Sequence, residues 1–364
     1  MYLRNQKQHR IMIKKYTEES IALLKQMIAI PSVSRSENDV ADMIQNWMFE
    51  RGLQVERLGN NLIIRQKYYC AEKPVILLNS HIDTVKPASG YTRDPFKPEV
   101  EDGKLWGLGS NDAGAPMVSL LAAFRYLTQH TEQNYNLIYV ASCEEEVSGK
   151  NGIESVVQHL GRVDLAIVGE PTQMQMAVAE KGLMVLDCVA YGKSGHAARN
   201  EGVNAIYEAL PSINWFQTHK FERVSQFLGS VKMSVTQIEA GTQHNVVPDR
   251  CHFVVDVRVN EKYGNNELLQ EIKNSVSCEV KERSTRLNSS SIQLTHPIVK
   301  RGLSLGLKTF GSPTMSDQAL MPFTSIKIGP GDSARSHTAN EYIVLDEIYE
   351  GVELYIKLLN GLNI

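Results

Sequence analysis

Five residues of metal-ligand type, His81, Asp112, Glu146, Glu170 and His337, fall at the ends of expected strands or in nearby loops, and Glu145 stands one position before the third. Two imidazoles and three carboxylates make a mixed nitrogen and oxygen donor set suited to a pair of divalent metal ions sharing one carboxylate. Zinc is the first expectation, with cobalt or manganese able to use the same donors. Such a pair points to hydrolysis, because cations lower the pKa of water and polarise a carbonyl.

Each member also has a plainer reading. His81-Ile82-Asp83 follows the apolar run Val75 to Leu78. In an extended segment, alternation puts His81 and Asp83 on one side. The carboxylate can then accept the imidazole N–H and aim the other nitrogen at a metal; the alternative is a surface histidine beside an acidic turn. Asp112 sits in Gly107-Leu108-Gly109-Ser110-Asn111-Asp112, where an acid replaces the third glycine of a dinucleotide loop and no clean βαβ unit surrounds it. A simple helix N-cap is its plainer alternative. Glu144-Glu145-Glu146 follows an apolar strand, and three adjacent acids there are costly unless cations neutralise them. They could instead form a solvated acidic loop.

The elements that must position these residues come from hydrophobic periodicity. Thr17 is placed as the cap of a helix carrying Ile21, Leu24 and Ile28 and stopped by Pro31; a second helix runs from about Glu37 to Gly52. Strands are expected over 62–65, 75–80, 136–141 and 165–168, with helices over 115–128 and 153–160. This alternation predicts an α/β fold, a mixed sheet flanked by helices. After about Ala179 the order becomes β-α-β-β-α-β up to Arg286, that of a ferredoxin-like α+β sandwich. A helix from Pro297, a strand near 324–328 and a helix over 345–359 then resume the first pattern. The second domain therefore reads as an insertion: residues 1–179 and 292–364 form a discontinuous catalytic domain, and 180–291 a lid, with Ser289-Ser290-Ser291 as the return linker.

Composition bounds the partners. With 42% apolar and 22% charged residues over 364 positions, the chain can build a sizeable core in two domains. A net charge of -3 gives no reason to expect nucleic acid or an anionic membrane, which leaves a small molecule. No apolar run approaches the roughly 18 residues that span a bilayer. Five scattered cysteines without a C-x-x-C pair argue against a disulfide framework and for a reducing cytoplasmic setting. The basic stretch Met1 to Lys15 has no apolar segment behind it, so it is not read as a signal peptide, and its first eleven residues are expected to be a disordered extension.

The blocks His81-Ile82-Asp83-Thr84-Val85, Asn111-Asp112, Glu144-Glu145-Glu146-Val147, Gly169-Glu170-Pro171-Thr172, Gly195-His196-Ala197, Asn245-Val246-Val247-Pro248, Asp256-Val257-Arg258 and Gly329-Pro330-Gly331 with His337 together resemble the M20 metallohydrolases. Within that family the branch of acetylornithine deacetylase and succinyl-diaminopimelate desuccinylase is most similar. The resemblance implies a zinc-exopeptidase-like catalytic domain. It implies that His81 and Glu170 hold one metal, that Glu146 and His337 hold the other, and that Asp112 bridges them. Asp83 would orient His81, and Glu145 would be the general base, passing a proton from water to the leaving amine. His196 would stabilise the oxyanion, often from the partner subunit of a homodimer formed through the lid. Asn245 and Arg258 would contact substrate, the guanidinium matching an α-carboxylate, although Arg258 could equally be a strand-end salt bridge. A cis peptide is implied at Asp112-Ala113.

Two departures bear on branch and substrate. Asp112-Ala113-Gly114-Ala115 stands where the family usually writes Asp-x-Lys-Gly, and Arg199-Asn200-Glu201-Gly202 stands where a proline is common. Glu170, where peptidase relatives more often carry Asp, favours removal of an acetyl or succinyl group from the α-amino group of an ornithine-like or citrulline-like amino acid, a step of arginine biosynthesis. The alternatives are an M20-type dipeptidase or carboxypeptidase, the desuccinylase itself, and a non-catalytic metal-binding relative.

Overall fold

A computed structural model describes residues 2–364, with side chains from His9 onward. The chain forms two compact units, residues 1–178, 292–310 and 316–364 in the first and 179–291 with 311–315 in the second.

The first unit is built on a mixed sheet. Its centre is four mutually parallel strands, Asn136–Ser142, Val75–His81, Leu165–Val168 and Ser325–Lys327, in that order. Antiparallel strands extend it, Asn61–Arg65 and Val55–Leu58 on one side and Met176–Glu180 on the other. Every residue of Val75–His81 and of Asn136–Ser142 is buried, which is why these segments read as continuous apolar runs rather than alternating ones. One face of the sheet packs Ile63, Val75, Leu77, Ile138 and Val140 against Ile153, Val156 and Leu160 of the helix Ile153–Leu160. The other lies against the helix Ala115–His130, where the Phe124 and Tyr139 rings meet and the Tyr139 hydroxyl donates to the Met117 carbonyl at 3.1 Å. That helix is itself covered by the helices Tyr2–Ile28 and Leu345–Leu359.

The N-terminus departs from the sequence expectation. The first helix runs unbroken from Tyr2 to Ile28, so Thr17 lies inside it and its hydroxyl donates to the Ile13 carbonyl at 2.9 Å instead of capping. No glycine or proline interrupts the stretch before Pro31, and its Arg, Gln, Lys and Met residues are good helix formers. His9 Nε2 stands 2.9 Å from the Tyr126 hydroxyl, tying the extension to the helix Ala115–His130.

In the second unit the strands Gly182–Tyr191, Lys232–Ala240, Arg250–Val259 and Glu279–Glu282 form an antiparallel sheet. The fourth strand pairs with the first, the first with the third and the third with the second, which is the ferredoxin-like arrangement. Met184, Leu186 and Cys188 alternate onto one face with Phe253, Val255 and Val257, and the helices Ala205–Thr218 and Asn265–Ser275 bury Ala209, Phe216, Leu268 and Ile272 against them. Gly311–Met315, assigned by sequence to the catalytic domain, clusters with this unit: the Lys181 amide donates to the Ser312 carbonyl at 3.1 Å, and Gly311 lies too close to the Phe227 backbone for any side chain. The expected linker serines Ser290 and Ser291 pair with Glu180 and Ala179 as a short strand.

Candidate metal centre

Because the four central strands are parallel, their carboxyl ends share one edge of the sheet, and the segments leaving them converge there. His81 is the last residue of its strand. The acidic turn Glu144–Glu146 follows Asn136–Ser142, Glu170 follows Leu165–Val168, and His337 lies in the loop after Ser325–Lys327. Asp112 precedes the helix Ala115–His130, and its peptide to Ala113 is cis.

Asp112 lies between the two imidazoles. His81 Nε2 is 3.4 Å from its Oδ1, and His337 Nε2 is 3.6 Å from its Oδ2. Glu170 approaches His81 at 3.9 Å, while Glu146 approaches His337 at 3.0 Å. His81 is therefore faced by Asp112 and Glu170, and His337 by Asp112 and Glu146. Glu145 Oε2 is 3.9 Å from His81 Nε2.

The donors fit metal ions. His81 is 1% exposed and its Nε2 has no hydrogen-bond partner among the described residues, although carboxylates face it. Two ligands each about 2.0–2.1 Å from a tetrahedral ion stand about 3.4 Å apart, which is the spacing of His81 Nε2 and Asp112 Oδ1. His81 can also be grouped with Asp112 and Glu146, or with Glu145 and Glu170, with all ligand atoms within 4.8 Å of one another.

Without cations the cluster must hold protons. Burial drives Glu145 and Glu170 well above the usual carboxylate range; the His81 charge opposes this, and neighbouring acids add to it. For His81, burial acts downward, but Asp112 and Asp83, with Glu145 and Glu170 behind, hold the imidazole well above its ordinary value. The Glu146 carboxylate raises His337 to about 9. Each proton is held where a cation would otherwise supply positive charge.

The supports differ in part from the sequence reading. His81 Nδ1 lies 2.9 Å from the Asp83 carbonyl and 3.5 Å from its carboxylate, so the backbone of Asp83 is the nearer acceptor. The Asp83 carboxylate accepts the Glu145 amide at 3.0 Å, the Glu146 amide at 3.2 Å and the Ser34 hydroxyl at 2.7 Å. Burial pushes Asp83 up, but His81, Ser34 and the Glu145 amide outweigh it and hold the carboxyl below its usual range.

Two further acids escaped the sequence reading. Glu341, 2% exposed, accepts the amides of Gly109 at 3.1 Å, Asn111 at 2.8 Å and Asp112 at 2.9 Å. Burial and the nearby Asp112 push it up to about 8, while those three amides pull the other way. Asp317 accepts the Ser142 hydroxyl at 2.6 Å beneath the acidic turn, and burial raises it to about 6. Asn111 links the loops of Asp112 and His337, its amide donating to the Asp332 carbonyl and its Oδ1 accepting the Asp332 amide, each at 3.0 Å. Gly331, with φ 95°, leaves room for that Oδ1. Residue type alone could not single out Glu341 or Asp317, since their roles lie in contacts with groups distant in the chain, backbone amides for Glu341 and the Ser142 hydroxyl for Asp317.

The remaining sequence candidates belong to the second unit. His196 pairs with Val246 across two short strands, and the Ala197 amide donates to the Asn245 carbonyl at 3.0 Å, so His196 and Asn245 are neighbours there. Arg258 is engaged by Asp256, its Nε 2.9 Å from one carboxylate oxygen and a terminal nitrogen 3.1 Å from the other.

Residues 77–361 match peptidase family M20/M25/M40. Among curated proteins, the chain is 27% identical over 352 residues to a LysW-lysine/LysW-ornithine hydrolase of Sulfurisphaera tokodaii, covering 93% of this chain and 94% of the relative. It is 25% identical over 350 residues to a succinyl-diaminopimelate desuccinylase of Corynebacterium glutamicum, covering 91% and 93%. Among solved structures, a dinuclear metal-binding peptidase of the M20 family from Bacillus subtilis superposes with a TM-score of 0.74 at 17% identity, covering 95% of this chain and 98% of that one.

Proposed function

Since the chain belongs to peptidase family M20/M25/M40 and is a metal-dependent amidohydrolase, we propose that it removes an acetyl or succinyl group from the α-amino group of an ornithine-like or citrulline-like amino acid, in arginine biosynthesis. The observation that carries the chemistry is Asp112, with one carboxylate oxygen toward each imidazole and the partly buried Glu145 alongside. The names of the two curated relatives, a LysW-lysine/LysW-ornithine hydrolase and a succinyl-diaminopimelate desuccinylase, support a substrate derived from an amino acid. Glu170, within Gly169-Glu170-Pro171-Thr172, tilts the choice from peptide toward N-acyl amino acid.

In this reading His81 and Glu170 would hold one ion and Glu146 and His337 the other, with Asp112 available to both. When bound, the two cations supply Lewis acidity, lowering the pKa of water and polarising the scissile carbonyl. We take zinc as the native metal on the nitrogen and oxygen donor set, with cobalt or manganese as substitutes. Glu145 accepts one proton of the attacking water and passes it to the amide nitrogen as the C–N bond breaks, and the second proton of that water follows to the leaving amine, giving a carboxylate and an ammonium. Asp83 serves this step twice, through its carbonyl on His81 and its carboxylate on the Glu145 amide. His196 donates to the developing oxyanion from the second unit of a partner copy in a homodimer, and Asn245 and Arg258 hold the substrate's polar groups. Arg258 must then exchange Asp256 for the substrate carboxylate. Five unpaired cysteines support a reducing, cytoplasmic setting.

Turnover by metal-replete protein of N-acetyl and N-succinyl forms of ornithine and citrulline, beside N-succinyl-diaminopimelate and a dipeptide panel, tests the proposal. Turnover of N-acyl ornithine or citrulline is expected. Cleavage of dipeptides alone would make the protein a peptidase.

A further inference from the structure

The turn Glu144–Glu146 turns three successive amides inward, and each finds a carboxylate from another part of the first unit. Asp83 accepts those of Glu145 and Glu146. The Glu144 amide donates at 3.1 Å to Glu37 Oε1, on a residue 107 positions earlier in the chain. Glu37 is 1% exposed. It stands at the N-cap of the helix Asn38–Glu50, yet its side chain makes no capping bond to that helix. Its Oε1 also accepts the Arg35 amide at 2.7 Å, and its Oε2 accepts from Asn60 Nδ2 at 3.4 Å.

The rest of this segment grips the same region. The Ser34 hydroxyl donates to the Asp83 carboxylate, the Ser34 amide donates to the Thr84 carbonyl at 3.1 Å, and the Thr84 amide returns a bond to the Ser32 carbonyl at 2.9 Å. One short segment therefore fixes both carboxylates that receive the acidic turn. Glu144 itself has a left-handed backbone, φ 55°, and is buried. Its amide has no water to fall back on if its acceptor is removed, and an unsatisfied buried donor is expensive.

We propose that Glu37 is a positioning residue of the metal centre: by accepting the Glu144 amide it sets the place of Glu145 and Glu146, the proposed proton carrier and metal ligand. The inference rests on the proposed role of Glu145. A general structural role, in which Glu37 merely joins Arg35 to Asn60, would predict equal losses wherever the unit is probed.

The test uses full-length, metal-loaded protein and two size-matched variants. Glu37→Leu keeps the bulk and removes both acceptors, while Glu37→Gln keeps one oxygen. Turnover of N-acetyl-L-ornithine and hydrogen exchange of the segment 143–147 are measured, with the helix Ala115–His130 as internal reference. Glu37→Leu is expected to lower kcat about tenfold or more with KM changed by less than about twofold and, because Glu146 shifts with Glu145, to give up metal to a chelator more readily; Glu37→Gln should retain kcat to within about threefold. Exchange of 143–147 should rise about tenfold in Glu37→Leu, with the reference helix unchanged. Unaltered exchange there, faster exchange with full kcat, or equal acceleration in the helix each overturns the proposal. Should Glu37→Leu fail to fold, Glu37→Gln decides. A neutral acceptor is weaker than a carboxylate, so exchange of 143–147 must still quicken, and no change refutes the role. If the wild-type protein turns over no N-acyl amino acid, the functional reading fails, while the exchange arm still judges the positioning.

Discussion

Replacing Glu341 by alanine should damage the metal centre without touching a ligand. Its carboxylate accepts three amides of the loop that presents Asp112, at 2.8 to 3.1 Å. Alanine strands all three. A buried donor left without a partner costs about 1–3 kcal/mol, and water entering the vacated space recovers part of that. A net loss of about 3 kcal/mol is expected, a fall in Tm of roughly 6–12 °C at the 2–4 °C per kcal/mol of domains near this size. Loosening Asp112, the proposed bridging carboxylate, should also weaken metal binding about 10–100-fold, the usual cost of losing a group that orients a ligand. Glu341→Gln keeps one oxygen, so if that oxygen stays on Asn111 and Asp112 only the Gly109 amide is opposed by another donor, and the loss should be smaller. Thermal unfolding of metal-free protein and competition against a chelator measure the two effects. An alanine variant that melts within about 2 °C of the parent and holds metal equally well would show that the loop is fixed by something else.

Three further outcomes follow from the same cluster. Glu145→Gln should lower kcat at least about 10²-fold, the lower range for loss of a general base, with both metals still bound by elemental analysis; unchanged turnover would remove Glu145 from proton transfer. Glu145, Glu170, His81 and His337 all have folded pKa values above their unfolded ones, so the metal-free fold holds more protons than the unfolded chain. Their stabilising contribution is therefore complete below the unfolded values and fades as pH rises, for His337 through about 9. Metal-free protein should then melt at lower temperature as pH rises from 6 to 9, and metal addition near pH 7 should release protons, read by calorimetry in buffers of different ionisation enthalpy. Metal binding without proton release would contradict this.

The parallel strands were legible in the sequence because burial on both faces leaves an apolar run, and the candidate ligands His81, Glu146 and Glu170 because each closely follows such a run. Val75–His81 ending on a histidine and Leu165–Val168 followed by Gly169-Glu170 carry both signals within a few residues. Less was visible where meaning depends on what a side chain meets far along the chain. Glu37, Asp317 and Glu341 are ordinary acids in irregular segments, and only folding brings them to the amides of Glu144 and Asp112 and to the Ser142 hydroxyl. Asp83 was recognised as the companion of His81, but its carboxylate serves the acidic turn because its own carbonyl already reaches the ring. Thr17 resembles a cap by type, but its hydroxyl bonds within the helix, so the residue does not mark where the first helix begins.

The two imidazoles flanking Asp112 live in different surroundings, His81 sealed at 1% exposure and His337 open at 55%. A chelator can approach from the His337 side, whereas the neighbourhood of His81 must loosen before anything leaves it. Depletion should thus proceed in stages through a singly loaded species, and a preparation assaying at half its expected content would be one defined population, not a mixture of full and empty molecules.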